Sequence, residues 1–458
     1  MMKNSINKNT IFNRITLLLT YAFIVLFFGM KGDMFIFLTI VYGAMFVSNI
    51  DCAIGTILSL YILVASDYYA LMLIPSPFGK FPFYIVVYVF AIGVNLLRRC
   101  SRNTTWMANT PLFIAGFMIL ISGLITYMIF GENVIISNSV KFFFQMFGMI
   151  MLINVKNLDR HDIEKLLHFV FFLVALSLMV AVLEGFFGYN VYELFGKEKE
   201  AERYAYDTSI NLSWRVSGTF GNCLVFSSSM VMTFPVIEYF RRVKEQKVIS
   251  YVALTVLFIG VALSGSRSGL IACVIYLGYM LIATKKGRWV ALIAVPVLLY
   301  LVLTYVDLTT MAERIASNGY TSEHRVSSYA LWLNLILKYL IFGTGLGNSY
   351  LVLNNYVGAG NFVVNTLDNT FLDGSLALGL WGSIAVFFSV REFYRKNKRD
   401  KYWWMFTSIC FVFISLFLNS TRYQSLWGML WFYYVISVKL QMDNDSTIRK
   451  VTLGHGSN

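Results

Sequence analysis

Charged residues are scarce in this chain of 458 residues. Only 13% of them are Asp, Glu, Lys or Arg, whereas 58% are hydrophobic, and the mean hydropathy is +0.66. Soluble domains carry roughly 25% charged residues, so the composition excludes a water-soluble globular protein and predicts a membrane chain.

Cysteine and histidine are scarce as well, with five and four residues. The cysteines stand singly, and no pair has the spacing of a zinc or redox site, so we expect them to be packing residues. His324 is the one histidine that the topology below places on the outer side, and without a Cys or His neighbour it makes no metal site. We therefore predict neither a metal nor a cofactor.

The sequence also lacks a cleavable secretory signal, a repeat with a period of about 20 to 50 residues and any low-complexity tract. The apolar run 17–30 continues beyond Lys31-Gly32-Asp33 into another apolar run. We interpret it as a first membrane anchor.

Long apolar runs are what the sequence does contain, and a helix needs about 20 such residues to cross the hydrocarbon of a bilayer. The runs predict an all-α polytopic membrane protein with about 12–14 transmembrane helices in one integral membrane domain, 1–458. The predicted spans lie near 15–30, 34–49, 52–73, 81–97, 111–130, 139–155, 166–187, 222–240, 249–264, 268–284, 289–306, 371–390, 403–419 and 424–440.

The placement of the 37 basic residues predicts the orientation of the chain. Cytoplasmic loops are enriched in Lys and Arg. With the N-terminus inside, alternate loops carry most of the positive charge, except the short turn at 49–51. Both termini are then cytoplasmic. The net charge of +13 serves this topology, so we expect no nucleic-acid partner.

Two of the predicted outer loops are long, 189–221 and 307–369. The second is far longer than the usual connector of about four to six residues and too aromatic for a solvated tail, which indicates a functional loop. Within it, 329–342 is apolar but too short to span, which predicts a short interfacial helix. The run Gly343-Thr344-Gly345-Leu346-Gly347 lacks the preceding strand and the spacing of a dinucleotide-binding loop, so we interpret it as an ordinary turn.

Arginines on the outer side are disfavoured by topology, and an anionic ligand is one reason for their presence. Arg267 lies in the short polar turn 264–269 between two apolar runs, where the N-terminus of the next helix suits a phosphate. Arg215 precedes another predicted helix, and we expect Gly218 and Gly221 to give a ligand access to the backbone. The alternative for both arginines is an interfacial turn, in which the side chain snorkels to lipid headgroups.

Further candidate ligands for a phosphate or a sugar lie on the large outer loop and at the last outer turn: Arg314, Arg325, Asn369 and Arg422. Asp368 is a candidate general base toward a sugar hydroxyl, with a helix cap as its alternative role. Glu323 is a second candidate acid or base beside the interfacial helix. Asp373, near the lipid, is costly unless an arginine pairs with it.

Four motifs follow one another over roughly Trp214 to Trp381. Arg-x-Ser-Gly-x-Phe begins at Arg215, and Ser-Arg-Ser-Gly occupies 266–269. The large loop then carries an arginine-led helix and Gly-x-Gly-x-Gly, and the next span opens with x-Asn-x-x-Leu at 368–372. This order resembles the O-antigen ligase and polymerase superfamily of bacterial envelope glycosyltransferases, and the resemblance implies a GT-C-like fold.

The resemblance also implies a substrate, an oligosaccharide on undecaprenyl diphosphate at the outer face of the bacterial inner membrane. By resemblance, Arg215, Arg267 and Arg325 bind the diphosphate, whose developing oxyanions need positive charge. We expect Arg215 and Arg267 to form one wall of the site and the loop 307–369 the other. The ligase branch has histidine where this chain has Asp368, which favours a Wzy-type polymerase with a lipid-linked donor and acceptor.

Other functions stay open. One is an O-antigen ligase that transfers glycan to an envelope acceptor, and another is a flippase or transporter of lipid-linked oligosaccharides. Transporters tend to show repeats and charged or broken helices near the bilayer midplane, whereas the arginines here gather at one face. A passive scaffold would tolerate the loss of single outer arginines. Besides the bilayer, the polymerase prediction leaves room for a chain-length regulator and a flippase as partners.

Overall fold

A computed structural model of the chain describes residues 33–63, 73–76, 79–82, 87–93, 110–155, 158–187, 216–242, 246–283, 331–349, 370–396 and 426–433, with a few isolated positions besides. These residues are helical apart from turns and one short hairpin, so the predicted all-α membrane architecture is confirmed. The number of spans stays a prediction, because several of them lie outside the described residues.

The helices follow the apolar runs of the sequence. In chain order they are α1 (Asp33–Ser48), α2 (Cys52–Leu63), α3 (Thr110–Phe130), α4 (Asn133–Val155), α5 (Arg160–Phe187), α6 (Cys223–Met232), α7 (Phe234–Arg242), α8 (Lys247–Leu263), α9 (Arg267–Ala283) and α10 (Thr370–Lys396). Residues 87–93, 331–338 and 426–433 are helical as well. The predicted spans from 111–130 to 268–284, and the one at 371–390, begin and end within six residues of these helices.

Two helical segments among the described residues are long and apolar enough to cross a membrane. One is α5, and the other is α6 continued by α7 as Cys223–Arg241. The two parts of α4, Asn133–Phe144 and Phe147–Ile153, are bent by 49° and would together make a third. Large apolar side chains point outward, with Met128 and Phe186 82% and 83% exposed, and such a surface suits a lipid surround.

The segment after α2 differs from the prediction. A hairpin that was not predicted lies between the predicted spans 52–73 and 81–97 and overlaps their ends by one and two residues: strand β1 (Leu73–Ser76) pairs antiparallel with strand β2 (Gly79–Pro82).

A large apolar core joins most of the helices. α3 packs on both α4 and α10, and α6 packs against α8 and α9. Within the core, the buried hydroxyls of Tyr61 and Tyr88 lie 2.6 Å apart and bond to each other, as buried polar groups require. A smaller core lies beside the short helix 331–338, where Trp332 and Leu335 pack with Leu376 of α10.

A buried ion pair links α7 to α9. Glu238 and Arg241 are 1% and 7% exposed, and the Arg241 Nε donates to Glu238 Oε2 at 2.9 Å. The Tyr276 hydroxyl of α9 donates to the same oxygen at 3.0 Å. A buried charge is costly unless it is paired and hydrogen-bonded, so these contacts fix α7 against α9.

The predicted interfacial segment 329–342 is helical over 331–338. One face of this helix covers the smaller core, whereas Leu333, Leu337 and the following Ile341 are 53%, 68% and 60% exposed. Asn334 and Lys338 are exposed as well, and an exposed surface of apolar and polar side chains suits the interface between lipid and water. Its depth in the bilayer stays a prediction.

Candidate functional site

The turn between α8 and α9 has Arg267 at a helix start, as predicted, since Arg267 is the first residue of α9. The Ser266 hydroxyl accepts the backbone N–H of Gly269 at 3.2 Å, which is the bond of a serine N-cap. The Ser264 hydroxyl donates back to a carbonyl of α8 at 2.6 Å. Both serine side chains are fully buried, so the turn has a fixed shape.

A buried carboxylate holds the backbone that follows Arg215. Glu184, near the C-terminal end of α5, is 2% exposed. Its Oε2 accepts the N–H of Ser217 at 2.9 Å and that of Gly218 at 2.7 Å, and its Oε1 accepts the Ser217 hydroxyl at 3.0 Å. Three donors on one carboxylate stabilise a charge that the apolar surround would otherwise destabilise.

The two arginine-bearing segments lie against each other. The backbone N–H of Val216 donates to the Leu263 carbonyl at 3.3 Å. Val216 follows Arg215 directly in the chain, and Leu263 ends α8 just before the turn that leads to Arg267. The structure therefore brings together the two segments that were predicted to form one wall of the site.

Gly218 serves packing and not ligand access. It is buried, it has a φ of +55°, and its N–H is donated to Glu184. A Cβ at this position would lie 3.0 Å from the ring of Phe226. The prediction that Gly218 opens the backbone to a ligand is therefore wrong, because its donor is already used. The Thr219 hydroxyl ties the same segment to α2 by donating to the Ile62 carbonyl at 2.6 Å.

The Gly-x-Gly-x-Gly run is more than the ordinary turn that was predicted. Gly343, Gly345 and Gly347 have φ of +71°, +77° and +79°, a region that residues with a side chain rarely adopt. Beside the run, α10 is interrupted at Gly379, with φ of 59° and ψ of −169°. The span predicted at 371–390 is therefore helical but kinked, and the run lies against the kink.

Four backbone hydrogen bonds join residues 340–345 to α10. Two N–H groups of the run donate into α10, and two N–H groups of α10 donate to carbonyls just before the run. The pairs, donor first, are Thr344–Leu376 at 2.9 Å, Gly345–Ala377 at 3.0 Å, Leu380–Leu340 at 2.7 Å and Trp381–Ile341 at 3.0 Å. These groups at the break are thus satisfied by the chain itself, as backbone groups inside a membrane protein must be.

Asn348 is a buried residue that sequence reasoning missed. Its Nδ2 donates to the Ser139 hydroxyl of α4 at 3.0 Å and to the Thr344 carbonyl at 3.3 Å. From α3, the Ser122 hydroxyl donates to the Phe342 carbonyl. The run is therefore held between α10 and the α3–α4 pair. Nothing in the sequence connects Asn348 with Ser139, which is 209 residues away.

Glu184 was missed too, although its signal is visible. It is a single carboxylate in the apolar run Val182-Leu183-Glu184-Gly185-Phe186. A carboxylate inside an apolar span is costly unless it is paired, so it marks a position with specific partners. The sequence does not say which partners these are.

Most of the predicted site residues lie outside the described residues: Arg215, Arg314, Glu323, Arg325, Asp368, Asn369 and Arg422. Of Arg267, only the backbone is described. Asp373, in the first turn of α10, is 8% exposed. It is therefore buried in protein, and the prediction that it lies near the lipid is wrong. In the part of the chain that the structure describes, no three His, Cys, Asp or Glu side chains gather as metal ligands, and chemistry without a metal stays a prediction.

The region built around these turns corresponds to a known family. Residues 252–387 match the family model for O-antigen ligase. The match starts in α8 and ends in α10, so it contains Arg267, the loop 307–369 and the filled break at Gly379. It covers just under a third of the chain and confirms the resemblance inferred from the order of the motifs. No curated protein matches the chain.

The O-antigen ligase match supports a glycosyl-transferring membrane enzyme of the ligase or polymerase kind, which acts in surface-polysaccharide assembly. The Arg215 segment precedes the matched residues. The hydrogen bond between Val216 and Leu263 nevertheless joins that segment to the matched residues. The candidate site thus combines segments from inside and outside the match.

Proposed function

We propose that the chain is a polymerase that joins oligosaccharide repeat units, carried on undecaprenyl diphosphate, into O-antigen or another surface polysaccharide. The observation that carries the proposal is the hydrogen bond from Val216 to Leu263, because it joins the Arg215 and Arg267 segments at the start of α9. Two arginines beside a helix N-terminus suit the charge that develops on a diphosphate leaving group.

The proposed reaction transfers the growing glycan to a new repeat unit. A hydroxyl of that unit attacks the anomeric carbon of the growing glycan, forming a carbon–oxygen bond. The bond between the anomeric carbon and the diphosphate oxygen breaks, and undecaprenyl diphosphate leaves with the electron pair. The hydroxyl proton passes to a base, for which Asp368 and Glu323 are the candidates. Orientation of two lipid-anchored reactants side by side supplies much of the acceleration.

The remaining candidate residues bind the two substrates in this proposal. They are Arg325, Arg314, Arg422 and Asn369. The loops 189–221 and 307–369 are extracytoplasmic, both termini are cytoplasmic, and the membrane is the bacterial inner membrane. The support for this sidedness is the distribution of Lys and Arg along the sequence.

Polymerase and ligase share the donor chemistry and differ in the acceptor. The arginine site therefore suits both. The aspartate at position 368 favours the polymerase, because the ligase branch of the resembled superfamily has histidine at this place before the asparagine.

A transporter is the second candidate, because α10 is broken and broken helices form the substrate sites of many transporters. In such sites the freed backbone groups bind the substrate. Here residues 340–345 pair with the groups beside Gly379. The filled break favours a rigid enzyme scaffold over a transport pathway.

The test is to remove the protein in its own host and to separate the surface glycan on a gel. We expect the ladder of chain lengths to disappear while one repeat unit stays attached. Loss of every attached repeat identifies a ligase instead, and failure to export lipid-linked units identifies a flippase. An unchanged ladder contradicts all three functions.

A further inference from the structure

We infer that Glu184 is a positioning residue of the arginine site, which holds the Arg215 segment against the α8–α9 turn through hydrogen bonds. The catalytic part of this inference rests on the proposed function. Its geometric part rests on the contacts of Glu184 alone.

The contacts form a short continuous path. Glu184 accepts the N–H groups of Ser217 and Gly218 at 2.9 and 2.7 Å, and the neighbouring Val216 donates to Leu263 at 3.3 Å. One peptide bond separates Val216 from Arg215. Removal of the carboxylate leaves two buried N–H groups without this acceptor, and the backbone beside Arg215 is then free to shift toward other partners.

Other contacts hold the far half of the same segment. The Thr219 hydroxyl donates to the Ile62 carbonyl at 2.6 Å and lies 2.8 Å from the Ser177 hydroxyl. Phe220 packs against Phe226, with ring centroids 6.1 Å apart. Loss of Glu184 is therefore expected to release the half that leads to Arg215 while the half that leads to α6 stays in place.

Two substitutions separate the hydrogen bonds of Glu184 from its charge. In Glu184→Gln, the amide oxygen can accept both backbone N–H groups, and the NH2 group can donate to the Ser217 hydroxyl, which accepts as well as donates. Glu184→Gln therefore keeps three bonds without the charge. Glu184→Ala removes all three.

A cross-link reports the geometry without any enzyme assay. Val216→Cys and Leu263→Cys are introduced together, treated in membranes with a short reagent that joins two thiols, and mapped by peptide mass so that the native cysteines are told apart. We expect Glu184→Gln to keep the cross-link yield and Glu184→Ala to lower it severalfold. An unchanged yield in Glu184→Ala overturns the inference.

Activity supplies the second readout, as kcat/KM for a lipid-linked repeat unit. We expect Glu184→Ala to lower kcat/KM by about tenfold or more and Glu184→Gln by less than about threefold. Because Glu184 acts through Arg215, Glu184→Ala is expected to lower kcat/KM by a smaller factor in an Arg215→Lys background, which keeps the charge without the planar guanidinium, than in the wild type. If Glu184→Ala instead damages the structure in general, the losses of kcat/KM from the two substitutions multiply. Such a result overturns the inference.

The remaining outcomes are also decisive. An inactive Glu184→Gln with a normal cross-link yield overturns the inference, because the charge then acts directly. If Arg215→Ala leaves kcat/KM unchanged, the proposed function fails, and the cross-link yields still decide whether Glu184 positions the segment.

Discussion

Gly343 and Gly379 lie backbone to backbone, and a Cβ added at Gly379 would lie 2.5 Å from the Gly343 nitrogen. Both residues have positive φ, +71° and +59°. Neither position tolerates a side chain, because the conformation and the space both exclude it. This contact closes the break in α10 with a segment that comes from the large loop.

Substitution of either glycine is expected to open this contact. Gly343→Ala and Gly379→Ala should each lower the free energy of unfolding by about 1–3 kcal/mol, from backbone strain and displaced neighbours. The measurement is thermal unfolding of the purified protein in detergent. The matched control is Gly374→Ala in the same helix, where a Cβ meets nothing within 4 Å. Equal unfolding midpoints for all three variants would contradict the close contact.

The outer arginines provide the direct test of the diphosphate site. Arg215→Ala and Arg267→Ala are expected to abolish the polymer, because the leaving diphosphate loses its positive partners. The measurement is the glycan ladder, with membrane extraction as the check that each variant still inserts. Lys338→Ala, which removes an exposed basic residue of the short helix, is the control and should keep normal chain lengths. Normal ladders in both arginine variants would contradict the assignment of Arg215 and Arg267 to the diphosphate.

Two substitutions distinguish the two candidate roles of Asp368. If Asp368 is the general base, both Asp368→Asn and Asp368→Ala are expected to lose activity, since neither side chain accepts a proton. If Asp368 is a helix cap, Asp368→Asn should keep activity, because Asn caps a helix as well as Asp does, and only Asp368→Ala should lose it. We expect the first pattern, measured as the rate of repeat-unit joining in membranes. Full activity of Asp368→Asn would rule out the base.

The buried ion pair at the end of α7 predicts a large loss of stability when one partner is removed. Arg241→Ala takes the arginine away from a carboxylate that is 1% exposed, so we expect the free energy of unfolding to fall by about 3–5 kcal/mol. Arg160→Ala, in a pair with Glu164 where the arginine side chain is 49% exposed, should cost less than about 1 kcal/mol.

Unfolding midpoints of the two arginine variants, measured in the same detergent, provide the comparison. The double variant Glu238→Gln/Arg241→Met is expected to recover part of the loss, because it removes both charges together. Similar midpoints for Arg241→Ala and Arg160→Ala would contradict the buried pair.

The sequence predicts the helices of this fold well, because apolar runs and helix lengths are local properties. The bounds of α8 and α9, for example, differ from the predicted spans by at most two residues. The hairpin after α2 was missed because hydropathy measures the length of apolar runs and does not report how the short connection between two runs pairs its backbone.

The candidate site was predictable only in part. The positions of Arg215 and Arg267 beside helices follow from local pattern. The contact between their segments depends on Val216 and Leu263, which pair across more than 40 residues. The break at Gly379 has its cause in a segment more than 30 residues earlier, and a glycine within an apolar helix gives no sign of it. Such partners are set by tertiary packing and not by local sequence.

The bonds between 340–345 and α10 also fix the predicted loop 307–369 at a point between its two ends. A loop closed only at its two ends has one closure length, whereas bonds in its middle divide this one into two shorter segments. Loop-closure entropy grows with the logarithm of length, so insertions on one side of the pinned segment add little cost and leave the other side unaffected. The stretches 307–330 and 353–369 can therefore vary in length independently while the helix 331–338 stays attached to α10.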